Sequence, residues 1–202
     1  MSEQIKLSMS VFTDFVSKSG QTKTTLVKQW KYKPDYSPAT DFYRQVREAL
    51  PDYCRKKVDT SKLDSLVANA SPKRREHFEA AINGFMTWKK KKSGKWVEPM
   101  RSAWVSDRIR VSINPEIAYE STEGVLNIVK LYFRGTKLTK KQADLYLELM
   151  AGGLAINHSK DTVVTILDVK ESSEYHAVGS KPTVSALLKA EAASWSVLWD
   201  HL

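Results

Sequence analysis

Residues 111–130 read VSINPEIAYESTEGVLNIVK. A Pro-Glu pair, Pro115-Glu116, sits between two apolar strand patterns, and Lys130 closes the second. Upstream, DRIRVSI (107–113) alternates, with Ile109, Val111 and Ile113 on one face. Downstream, GVLNIVKLYFRG (124–135) has the composition of a longer, more buried strand. Lys130 shares a face with Leu126, Ile128 and Tyr132, and a lysine there needs a partner. Glu116, across the strand pair, is the obvious one if RVSINPE runs antiparallel to LNIVKLY.

The elements that follow set the fold class. Thr139 and Gln142 form a T-x-x-Q capping box that opens a helix through Tyr146, Leu147 and Met150 to Gly152. DTVVTILDVKE (161–171) reads as a further strand. The chain ends in a helix whose stripe includes Val184, Leu187, Leu188, Trp195, Leu198 and Trp199. This second half is β-β-α-β-α: antiparallel neighbours, a crossover helix and another strand. That order predicts an α+β protein with a mixed sheet flanked by helices.

The first half is helix-rich. MSVFTDFVSKSG (9–20) predicts a short helix stopped at Gly20, and TKTTLVKQWKY (22–32) predicts a strand. KPDYSPAT (33–40) reads as a turn, and a helix over ATDFYRQVREAL (39–50) should end at Pro51. A short helix around 63–67 follows. Ser71-Pro72 then opens a helix that buries Phe78, Ile82 and Phe85 and runs into the basic segment WKKKKSGKW (88–96). One compact domain over 1–202 is expected, with a possible subdivision into a basic helical part (1–103) and a sheet-containing part (104–202).

The net charge is +9, and its distribution says more than its size. Residues 1–107 hold 21 Lys and Arg against 12 Asp and Glu, whereas residues 108–202 hold 11 of each. An excess confined to one half favours a polyanion partner, DNA or RNA. Lys89, Lys90, Lys91, Lys92 and Lys95, interleaved with Trp88 and Trp96, could bind a single strand, with bases on the rings and phosphates on the ammoniums. The plainer reading of the lysines is a solvated helix end that compensates the helix dipole.

Other chemistry is sparse. No run of about 18 apolar residues would cross a membrane, and no secretory leader is evident. Cys54 is the only cysteine, which excludes an internal disulfide and suits a cytoplasmic location. His77, His158, His176 and His201 lack zinc spacing, and no phosphate-cradling or dinucleotide glycine pattern occurs.

The Pro-Glu step, the closing Lys130 and the order helix, strands, helix, strand over roughly 72–170 resemble the PD-(D/E)XK nuclease superfamily. That resemblance implies a divalent-metal site of converging carboxylates with a lysine. It assigns Glu116 and Lys130 as candidate catalytic residues and Glu116 as a candidate metal ligand. The position two before Lys130 should be acidic or an amide, and it is Ile128. Asp168 and Lys170 form a second acid-x-Lys on the last strand; both are further candidate catalytic residues, and Asp168 is the other candidate metal ligand. The segments NPE, VKLYF, LDV and EAASW also resemble an uncharacterised bacterial protein family, which implies a bacterial origin.

The sequence thus reads as a nucleic-acid-binding protein with a nuclease-like core that has lost catalysis. One alternative is a protein-interaction subunit of a larger bacterial assembly, using Trp195 and Trp199. The other is a divalent-metal nuclease with an unusual site, for which Glu76 and Glu79 could supply further carboxylates. No cofactor is expected, and magnesium enters only in the nuclease alternative.

Overall fold

The computed structural model describes residues 3–33, 41–154, 162–177, 179 and 181–202. The turn read at 33–40 falls largely on residues 34–40, outside the described residues, as does His158. The elements run β1 (Ile5–Ser8), α1 (Met9–Ser17), α2 (Gln21–Lys31), α3 (Arg44–Cys54), α4 (Thr60–Ala68), α5 (Pro72–Lys89), β2 (Lys95–Val97), β3 (Ser102–Ser106), β4 (Ile109–Ile113), β5 (Ile117–Glu120), β6 (Leu126–Tyr132), α6 (Lys140–Gly153), β7 (Thr162–Asp168), β8 (Ser173–His176) and α7 (Pro182–His201). The class is α+β. No described helix is long and apolar enough to cross a membrane.

The strands form two sheets rather than one. A three-stranded sheet has the order β1-β4-β3, and a five-stranded sheet has the order β2-β5-β6-β7-β8. In the larger sheet β6 and β7 are parallel and joined through α6, while the other pairs are antiparallel. RVSI therefore does not pair with LNIVKLY. It lies in β4, between β1 and β3. The segment Asn114-Pro115-Glu116 carries the chain from one sheet to the other, and β5 is the partner of β6.

Strand alternation sorts the core into two clusters. Ile128, Tyr132, Val164 and Ile166 face one way and pack with α1, α6, α7 and the small sheet. Val129, Leu131 and Leu167 face the other way, against α3, α4 and α5. Both clusters draw residues from both halves of the chain, and β3 itself spans residues 103 and 104. Close approach is needed where α5 crosses the end of β7. A Cβ at Gly84 would lie 2.0 Å from the Val169 carbonyl oxygen, so only glycine fits there.

Two local expectations are corrected. The stretch expected as a strand over 22–32 is helix α2. Its threonines suit a strand, but Thr22 and Thr25 hydroxyls bond back to the carbonyls of Ser19 and Gln21. Tertiary contacts then hold the helix: Val27 is buried, Lys23 pairs with Glu191, and the Trp30 indole donates to the Lys6 carbonyl. Pro51 does not stop α3, which continues to Cys54; the Arg55 N–H closes that last turn on the Pro51 carbonyl at 2.9 Å. The strands β1, β2, β5 and β8, of three or four residues, are too short for a clear alternation.

The α6 capping box forms as read, with Thr139 and Gln142 satisfying each other's backbone N–H groups. In α7, Trp195 is fully buried and packs on Phe15 with ring centroids 4.7 Å apart. It is spent on the chain's own core and has no surface for a partner, while Trp199 is only partly buried. Trp195→Ala should therefore cost about 3–5 kcal/mol in a denaturant melt. An unchanged midpoint would remove the indole from the core.

Candidate functional site

Glu116 and Lys130 meet. The β5–β6 ladder pairs Ile117 with Val129, and one step further along the same register sets Glu116 opposite Lys130. Their side chains form an ion pair, 10% exposed for Glu116 and 19% for Lys130. Lys130 also donates to the Asn114 carbonyl at 3.0 Å, and the second Glu116 oxygen accepts the Leu131 N–H at 2.8 Å. The carboxylate is thus held by a cation on one oxygen and a backbone amide on the other.

Two adjoining clefts open over this pair, with volumes of about 360 and 490 Å³, and both are lined by Arg47, Asn114 and Glu116. The smaller runs along one stripe of α3 (Arg47, Glu48, Pro51, Asp52, Arg55) and reaches Arg101. The stripe follows helical spacing, and the opposite side of α3 buries Val46, Ala49 and Leu50. The larger cleft passes Lys130 to Arg134, Tyr132 and Tyr146, beside the start of α1 at Ser8–Ser10. Arg47, Arg55, Arg101 and Arg134 thus come from α3, its C-cap, the loop before β3 and the loop after β6.

Three of these cations are positioned by acids. Arg47 pairs with Asp41, Arg55 with Asp52 and Glu98, and Arg134 with Asp14 at 2.8 Å. Burial would lower the Arg134 pKa, but Asp14 outweighs it, so the group is held above its ordinary value. Burial pushes the Tyr146 phenol up to about 12, against the pull of Thr13 and Arg134, so it lines the cleft as a neutral donor.

The second acid-x-Lys does not assemble. Asp168 ends β7 and is 3% exposed. Its oxygens accept the N–H groups of Leu138 at 2.8 Å and Glu171 at 3.4 Å, which anchors the loop entering α6. Lys170 lies beyond the strand, 3.1 Å from His77 Nδ1 and over the Tyr43 ring. The two do not share a strand face. β6 lies between β5 and β7, so two strand spacings, ~10 Å, separate Asp168 from Glu116, and the pairing of Asp168 with Tyr132 rather than Lys130 offsets it further along the strand. Asp168 is committed to backbone amides, and no group of three His, Cys, Asp or Glu suited to a metal occurs among the described residues.

The basic run divides. Trp88 is 2% exposed and its indole donates to Glu174 at 2.8 Å, so no base can stack on it. Lys92 pairs with the same Glu174, and Lys89 bonds the Lys92 carbonyl. Lys90, Lys91 and Lys95 are exposed. Trp96 is half-buried under the Arg55 guanidinium, 5.0 Å from the ring centroid. Sequence reasoning missed all four cleft arginines, since they lie far apart along the chain and share no motif.

Two outcomes follow. Glu116→Ala strands a largely buried lysine and should cost about 3–5 kcal/mol, whereas Glu116→Leu with Lys130→Met should recover most of that loss. Equal melting midpoints for parent and Glu116→Ala would show the pair to be idle. Cys54 is held as a thiol: burial pushes its pKa up to about 11, against Lys89 and Arg55. At pH 8 it should alkylate far more slowly than a free thiol; a comparable iodoacetamide rate would contradict its burial.

No protein-family model matches the chain, and no curated protein matches it. Among solved structures, one from Eubacterium rectale described as "Putative exonuclease" is similar over 97% of this chain and 82% of that chain, with 11% sequence identity and a TM-score of 0.47. At that identity no residue role passes from one chain to the other.

Proposed function

We propose that the protein binds nucleic acid along the arginine-lined cleft and that its nuclease-like core does not cut the strand. The observation that carries this reading is the state of the cleft floor. Its carboxylate, Glu116, is already neutralised by Lys130 and by the Leu131 N–H. A metal-dependent phosphodiesterase needs carboxylates free to converge on a divalent ion. Asp168, the other candidate ligand, is spent on two backbone amides.

Binding is supported by charge and shape together. The excess of Lys and Arg falls within residues 1–107. Three cleft arginines, Arg47, Arg55 and Arg101, come from that half, and Arg134 closes the other end. Guanidinium groups fit phosphates with paired N–H bonds; the acids beside Arg47, Arg55 and Arg134 order them while offsetting part of their charge, and Arg101 has no acid partner among the described residues. Exposed Lys90, Lys91 and Lys95 add longer-range attraction beside Trp96.

A labelled single-stranded oligonucleotide titrated at two salt concentrations tests the reading. Affinity should fall steeply with salt, and Arg101→Ala should reduce the salt slope by about one, with similar loss across sequences. Plasmid, single-stranded DNA and RNA should survive incubation with magnesium or manganese. Salt-independent affinity would remove the phosphate contacts, and cleavage lost in a folded Glu116→Ala variant would make the protein a nuclease.

A further inference from the structure

The floor of the cleft carries its own cation. A carboxylate oxygen of Glu116 and the main-chain oxygen of Asn114 converge on one point, which the Lys130 ammonium occupies. Hard divalent ions are bound by oxygens of these two kinds. Here the positive charge belongs to the chain. An ammonium has three donors, and those to Glu116 and Asn114 account for two. Lys130 also lines the larger cleft together with Arg47 and Arg134, so its remaining donor is within reach of a ligand there.

We propose that Lys130 is the resident cation of the cleft and that a phosphate of the bound strand docks on it without any divalent metal. The proposal rests on the nucleic-acid reading above. Its physical content is a charge balance. An unpaired Glu116 would repel a phosphate and would require a soluble cation between the two. With Lys130 in place the floor is neutral, and Arg47 and Arg134 on either side, each paired with one acid, keep further guanidinium N–H donors for an anion. A metal ion in the same place would meet the ammonium at contact distance, so the parent protein should exclude it.

Two measurements separate this proposal from the broader reading. In the first, anisotropy of a labelled single-stranded oligonucleotide is followed in EDTA and in millimolar magnesium. Parent affinity should not rise with magnesium and should fall only as far as the added cation competes for the phosphates. Lys130→Gln, which keeps a donor toward Glu116, should bind about tenfold more weakly in EDTA, with part of the loss restored by magnesium. Parent binding that EDTA abolishes, or a Lys130→Gln affinity equal to the parent in EDTA, would overturn the proposal. Failure of every oligonucleotide to bind would remove the nucleic-acid reading and the phosphate-docking half of the proposal with it.

The second measurement uses manganese alone, followed by electron paramagnetic resonance and thermal melting. The parent should show neither bound manganese nor a shifted midpoint. Lys130→Asp places a second carboxylate across the strand pair from Glu116, so it should bind manganese and melt higher with it. Adding Glu116→Gln should abolish both effects. Manganese bound equally by parent and Lys130→Asp would refute the resident-cation assignment. So would a Lys130→Asp protein that melts like the parent and binds none.

Discussion

The pleat of β6 is the constraint on which the other features depend. This strand is hydrogen-bonded on both sides, to β5 and to β7, and it separates two apolar layers. Ile128 and Tyr132 must face α6 while Val129 and Leu131 face α5. Because side chains alternate with a period of two, a slip by one residue would exchange the two sets. It would also carry Lys130 into the layer of Phe78 and Phe85. The apolar pattern therefore fixes the lysine on the cleft side, and the antiparallel register with β5 fixes Glu116 opposite it.

The link between the two sheets explains why that pair lies at the base of an opening. Asn114 and Pro115 leave β4 in the small sheet, and Glu116 precedes the first residue of β5 in the large one. A chain that changes sheets leaves backbone oxygens outside both ladders, and the Asn114 carbonyl is used by Lys130. The same gap lets the charged stripe of α3 approach from one side and Arg134 from the other. Acids partner Arg47, Arg55 and Arg134, which holds them without burying their charge completely.

Much of the fold was legible. The long elements α5, α6, α7, β6 and β7 have enough turns or alternations for their period to show, and Thr139 with Gln142 marked a helix start by local chemistry. Helix α2 was misread because its threonines have strand character, while its stability comes from Glu191, Trp199 and Lys6 elsewhere in the chain. In the sequence Trp88 and Trp96 are equivalent, each beside the lysines. Burial against Phe85 and a bond to Glu174 made one of them core, and no local pattern distinguishes the two.

By itself the sequence determined the α+β class, the uneven distribution of charge and the need of Lys130 for an acid. Each follows from composition or from the period of a single element. Only the tertiary structure decided that Glu116 reaches Lys130 from β5 rather than β4, that Asp168 is spent on loop amides, and that arginines from separate elements share one cleft. The physical reason is that side-chain period is local information. Strand partners, sheet membership and the convergence of distant side chains depend on which elements pack together, and that is settled by burial over the whole chain.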